Sequence, residues 1–110
     1  MRSFSMILIL VLATFPVKAD PYMDAAVAVT QEFQGMNQYC EGDPGCVCYY
    51  VSNAYEGSHT NYANLSTQVN PFWAQVACIF WGCFAWDGAY SLFYWYYSAM
   101  EWGQYVGSYC

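Results

Sequence analysis

Apolar and polar positions alternate with a clear period at the start of the segment "DPYMDAAVAVTQEFQGMNQYC". Tyr22, Ala26, Val29, Phe33, Met36 and Cys40 recur at spacings of four and three, while Asp24, Gln31, Glu32, Gln34 and Gln38 fall largely outside that set. This is the period of a helix with one apolar face, and the simplest use of that face is core. Asp20 followed by Pro21 supplies a start signal, a side-chain cap and then the residue that fits the first helical position.

The pattern then changes. Gly42, Asp43, Pro44 and Gly45 mark a turn. "CVCYYV" is too short for periodicity to separate strand from helix. From Ser52 to Asn70 the residues are mainly Ser, Thr, Asn, Gly and Tyr, which reads as a surface connection with little regular structure. It contains one N-glycosylation sequon, at Asn64-Leu65-Ser66.

Asn70-Pro71 repeats the cap-then-proline signal. After it, Phe72 to Tyr97 is almost unbroken apolar sequence, interrupted in charge only by Asp87. Asp87-Gly88 can cap a second helix or turn a β-hairpin. The apolar residues are continuous rather than alternating, which favours helices over about 71–86 and 88–105. The expected fold is therefore mainly α: a small disulfide-stapled helical domain of about three helices with an irregular middle segment. The alternative is an α+β fold with a hairpin turning at Asp87-Gly88.

The first nineteen residues follow a different rule. Arg2 precedes an apolar run of about ten residues, Pro16 ends it, and Val17 and Ala19 sit at small-residue positions before a cut. We read residues 1–19 as a secretory signal peptide and residues 20–110 as a single secreted, cysteine-rich domain. The apolar run is too short to span a bilayer core of about 30 Å.

Cys40, Cys46, Cys48, Cys78, Cys83 and Cys110 all lie in that domain. An even count in a short secreted chain points to disulfides rather than metal, and His59 has no Cys or His at ligand spacing. Cys40–Cys46 is the favoured bond, because "EGDPG" between them is a ready turn. Cys78–Cys83 is disfavoured: five residues apart on one helix they point about 140° apart, and on a strand they face opposite sides. Cys48, Cys78, Cys83 and Cys110 are then expected to tie the two halves together, with Cys110 pinning the C-terminus.

Charge narrows the partners. Arg2 and Lys18 are the only basic residues, and both lie in the leader. Without them the eight acidic residues give a side-chain charge of −8. Phosphate backbones and anionic lipid surfaces are bound through Lys and Arg, so nucleic acid is excluded and anionic membrane is disfavoured. A protein or receptor, favoured if its surface is basic, is the expected partner.

Aromatic residues make up 22% of the chain. A domain this small buries only about two-thirds of its unfolded surface, so some of them must face solvent. Most of Phe72–Tyr97 is expected in the core. Its Tyr-rich end is the expected partner face, with Tyr90, Phe93, Tyr94, Trp95, Tyr97 and Trp102 as candidate contacts. Two alternatives are a membrane-associated protein using 72–97 as a membrane segment, and a carrier of a hydrophobic ligand. The carrier requires an enclosed pocket.

No phosphate loop, calcium loop or metal cluster is present in the sequence, and no nucleophile–base pairing stands out. We expect no catalytic residue, no metal and no cofactor. The functional expectation is a non-enzymatic extracellular signal or effector that acts by binding.

Overall fold

The computed structural model describes residues 20–110, so the expected signal peptide lies outside the described residues. The fold is helical: α1 (Pro21–Tyr39), α2 (Pro44–Ser66), α3 (Pro71–Trp81), a short 3-10 turn (Cys83–Ala85) and α4 (Asp87–Tyr109). No strand occurs among the described residues, so Asp87-Gly88 opens a helix and does not turn a hairpin.

Three helices begin the same way. Asp20 Oδ1 accepts from the Tyr22 and Met23 amides, at 2.9 and 3.5 Å. Asp43 Oδ2 accepts from the Cys46 amide at 3.0 Å. Asn70 Oδ1 accepts from the Phe72 and Trp73 amides at 2.9 and 3.1 Å. In each case Pro takes the next position, where its missing N–H is not needed.

The middle segment is not irregular, as the sequence suggested; it is the 23-residue α2. Its inward residues, Val47, Val51, Ser58, Tyr62 and Leu65, do recur at helical spacing, but Ser58 and Tyr62 dilute the apolar signal. Ser58 is nonetheless buried, at 4% exposure. Asn64 lies exposed in the last turn of α2.

α4 is the hub. It packs along α2 and α1 and receives α3 against its N-terminal half. One buried cluster joins Val29, Phe33, Cys40, Val47, Val51 and Trp102, near the start of α2 and the end of α4. A second joins Val69, Ala74, Ala89 and Leu92, with Tyr62, Leu65, Cys78 and Phe93 packed on it. α2 and α4 therefore run antiparallel, each serving both clusters from opposite ends.

The described residues extend 44 × 34 × 18 Å. Packed helix axes lie about 8–10 Å apart, so 18 Å holds two layers of helices and no third. Few side chains can be surrounded on all sides. Of the described aromatic residues only Phe33 and Trp102 are buried.

Three disulfides close the frame: Cys40–Cys46, Cys48–Cys110 and Cys78–Cys83. Cys40–Cys46 clamps the α1–α2 turn as expected. Cys48–Cys110 joins the start of α2 to the chain end, across 62 residues. Cys78–Cys83 overturns the expectation from spacing, which assumed one regular element through both cysteines. α3 stops at Trp81, and Gly82 adopts φ 86, a left-handed conformation that strains any residue with a Cβ. The backbone doubles back and brings the two Cα atoms to 4.1 Å. The four later cysteines therefore make one long tie and one local hook.

Candidate interaction surface

Of the expected partner face, Trp102 is buried and the other five residues are half-buried. Trp102 is 2% exposed and sits in the first cluster beneath the α1–α2 corner. Phe93 packs on the second cluster. Tyr90, Tyr94 and Tyr97 lie half-buried toward α1. The Tyr90 hydroxyl donates to Asp24 Oδ2, and Tyr97 meets Tyr22 edge-on at 5.0 Å. Burial, then the Asp24 carboxylate, push the Tyr90 hydroxyl far above the ordinary tyrosine range. Burial, with Glu32 and Asp24 adding to it, also raises Tyr94. Trp95 lines an open cleft between α1, α2 and α4 together with Glu32, Ser58, Asn61, Ser98 and Trp102. α4 is amphipathic in hydroxyl-bearing aromatics, so its rings pack while their polar ends reach carboxylates or water.

Apart from Tyr39, Tyr49 and Tyr96, the exposed aromatics lie in the part of the stretch expected to be core. Phe72, Trp73, Ile79, Phe80, Trp81 and Phe84 are 60–72% exposed, and Trp86 is partly so at 38%. All belong to α3 and the hook that follows it. The sequence reading is thus reversed: the Tyr-rich end packs, and the Phe/Trp end faces out.

The cause is the length and neighbourhood of α3. Its eleven residues are apolar all round apart from Gln75, a character usually found in fully buried helices. Only one side finds a partner. Ala74 is fully buried against α4, and Cys78 packs on the same cluster. The small Ala74 side chain lets α3 lie close, but large residues on the opposite side meet nothing. At about 100° per residue, Phe72, Trp73, Val76, Ile79 and Phe80 form one outward stripe about 120° wide. Phe72 and Trp73 meet edge-on at 5.1 Å, and Phe80 and Trp81 lie 5.9 Å apart. The hook carries Phe84 and Trp86 round the C-terminal end of α3.

Charge is segregated from this surface. No ionisable side chain occurs from Thr67 to Trp86, and Asp87 begins the next helix. The other acids belong to the rest of the fold. Tyrosine is segregated too: all twelve lie outside residues 63–89.

Compared with known proteins, the chain matches no family model, no curated protein and no solved structure. The surface itself must carry the functional reading.

Three further features bound what it can do. Among the described residues no helix is long and apolar enough to cross a membrane, and Gly82 divides 72–97 into two helices. No cluster of three His, Cys, Asp or Glu side chains among them could hold a metal ion. The α1–α2–α4 cleft, about 240 Å³, is open along one side. The exposed stripe could have been found from sequence by asking which of the large residues in 72–81 share a face. Composition alone could not say which face would be covered.

Proposed function

We propose that this chain is a secreted, non-enzymatic binding protein, an extracellular signal or effector that docks on a protein partner through the outer face of α3 and the adjoining hook. The observation that carries this reading is the stripe Phe72, Trp73, Val76, Ile79 and Phe80. Phe72, Trp73, Ile79 and Phe80 face solvent, with Val76 half-buried between them, on a helix whose opposite side is already packed. Exposed apolar patches beyond about 300–600 Å² usually mark interaction sites. Aromatic side chains held on a rigid element supply contact area at little entropic cost. The hook disulfide holds Phe84 and Trp86 near the helix end, which limits that cost further.

Three disulfides fit an oxidising compartment, in keeping with the leader-like N-terminus. The acidic body leaves one uncharged face at which close contact requires no desolvation of a carboxylate.

The test is photo-crosslinking from within the stripe. A chain secreted from a eukaryotic host, with benzoylphenylalanine in place of Phe80, should give protein adducts that excess unlabelled chain suppresses. The same probe in place of Tyr49, on the far side of the fold, should give none. Lipid adducts in place of protein adducts, or equal labelling from both positions, would remove this reading.

A further inference from the structure

The outer stripe of α3 has an internal symmetry. Phe72 and Trp73 stand four and three residues before Val76; Ile79 and Phe80 stand three and four after it. The stripe therefore reads the same in both directions about Val76, a large pair, one small residue, then a large pair. In an isologous contact a two-fold axis sets each surface against its own reverse, so this stripe would bring each large pair against a large pair of the other copy. We propose that the partner of this face is a second copy of the chain, paired through antiparallel α3 helices with the two-fold axis near Val76. The proposal rests on the reading of α3 as the docking surface and names its occupant.

In that arrangement Phe72 and Trp73 of each copy lie against Ile79 and Phe80 of the other. The two Val76 side chains meet at the centre, where the helices approach most closely. Trp81 and Phe84 flank the contact. With each aromatic carrying about 150–250 Å², the exposed parts of Phe72, Trp73, Ile79, Phe80, Trp81 and Phe84 amount to on the order of 800 Å². A standard-size interface takes about 800 Å² from each partner, so the patch is of the right extent.

Charge points the same way. Each domain carries −8, so two copies repel wherever carboxylates face one another. The stretch from Thr67 to Trp86 has no charge, so α3 of one copy can meet α3 of the other without opposing acids on either helix. A lipid surface fits less well. Helices that lie on membranes carry Lys and Arg on their polar side to reach headgroups, and the described residues have neither. Apolar pairing between two acidic bodies also has a signature: added salt screens the repulsion and tightens the dimer. Docking on a basic partner would respond in the opposite direction.

Sedimentation of the secreted 20–110 chain, from low to high micromolar concentration and at low and high salt, decides the matter. The expected result is a species of twice the chain mass whose dissociation constant falls as salt rises. Ile79→Glu/Phe80→Glu should weaken it at least about tenfold while leaving the far-UV CD spectrum, and the melting temperature of chain too dilute to pair, unchanged, since both side chains are already exposed. The milder Phe80→Ser serves if the double variant secretes poorly. Crosslinks from position 80 should map to residues 72 and 73 of the other copy. A monomer throughout, or a dimer indifferent to these substitutions, would overturn the proposal. A monomer whose position-80 adducts contain a different protein would overturn it while leaving the docking function standing. A monomer that floats with phosphatidylcholine vesicles would overturn both.

Discussion

The α1–α2–α4 body and the α3 hook are built from similar apolar material to opposite ends. In the body, rings with hydroxyls fill the space between helices. Phe33 stacks on Tyr105 with centroids 4.0 Å apart, Tyr22 meets Tyr97, and Tyr90 reaches Asp24. In the hook unit the rings are Phe and Trp, and they protrude. A tyrosine can be half-buried at a thin, wet helix interface because its hydroxyl finds water or a carboxylate. A phenylalanine in the same setting gains only by complete covering. The body is thus satisfied as a single chain, and the hook unit is not.

The sharpest contrast is between two tryptophans. Trp102 is 2% exposed and Trp73 is 60% exposed. Trp102→Ala should cost about 3–5 kcal/mol by denaturant unfolding. Trp73→Ala, in dilute chain, should change stability by no more than about 0.5 kcal/mol. Equal losses would mean that α3 is covered within the chain itself.

The disulfides separate the regions next. Cys48–Cys110 closes a long loop within the body, and in the chain-entropy picture replacing both cysteines by Ala should cost about 4 kcal/mol. Replacing Cys78 and Cys83 should cost about 2 kcal/mol, because the loop is short. The second change should also weaken dimer formation without lowering the cooperativity of melting. Thermal scans paired with sedimentation check both.

A smaller effect tests the hydroxyls. Tyr90→Phe removes a hydrogen bond to a carboxylate and should cost about 1–2 kcal/mol at neutral pH. Because the folded state holds the Tyr90 proton above the ordinary range, the native protein binds a proton that the unfolded chain releases near pH 10. Stability is therefore lost as pH rises through that range. The Phe variant should lose less stability there than the parent.

The smallest effect concerns Glu101, whose carboxyl is raised by burial. A raised carboxyl opposes folding once ionised: the cost is absent in acid and grows as pH rises past the ordinary Glu range toward the folded value. Glu101→Gln should raise the melting temperature by a few degrees at most at neutral pH, and the gain should vanish in acid. The test locates strain in the body, away from α3.

Legibility followed the locality of each signal. The first helix could be read in full, since cap, proline and apolar stripe all lie within it. The second carries the same start, Asp43-Pro44, but the flanking Gly42 and Gly45 give an equally good turn signal. Its stripe was obscured by Ser58 and Tyr62, whose burial depends on α1 and α4. The helix break at Gly82 is not legible, because a single glycine in an apolar run is tolerated within a helix. It decided both the Cys78–Cys83 bond and the bounds of α3 and α4.

The sequence by itself determined the helical class, the cap-proline starts, the Cys40–Cys46 clamp, the net negative charge and the excess of aromatics over available interior. Those properties are fixed by neighbouring residues or by counting. Which aromatics would be covered was decided by tertiary structure alone. In a fold only two helix layers thick, that depends on how many neighbours a helix acquires. α4 has three and covers its rings at least in part, Tyr96 excepted, whereas α3 leans on α4 with one side and leaves Phe72, Trp73, Ile79 and Phe80 in solvent.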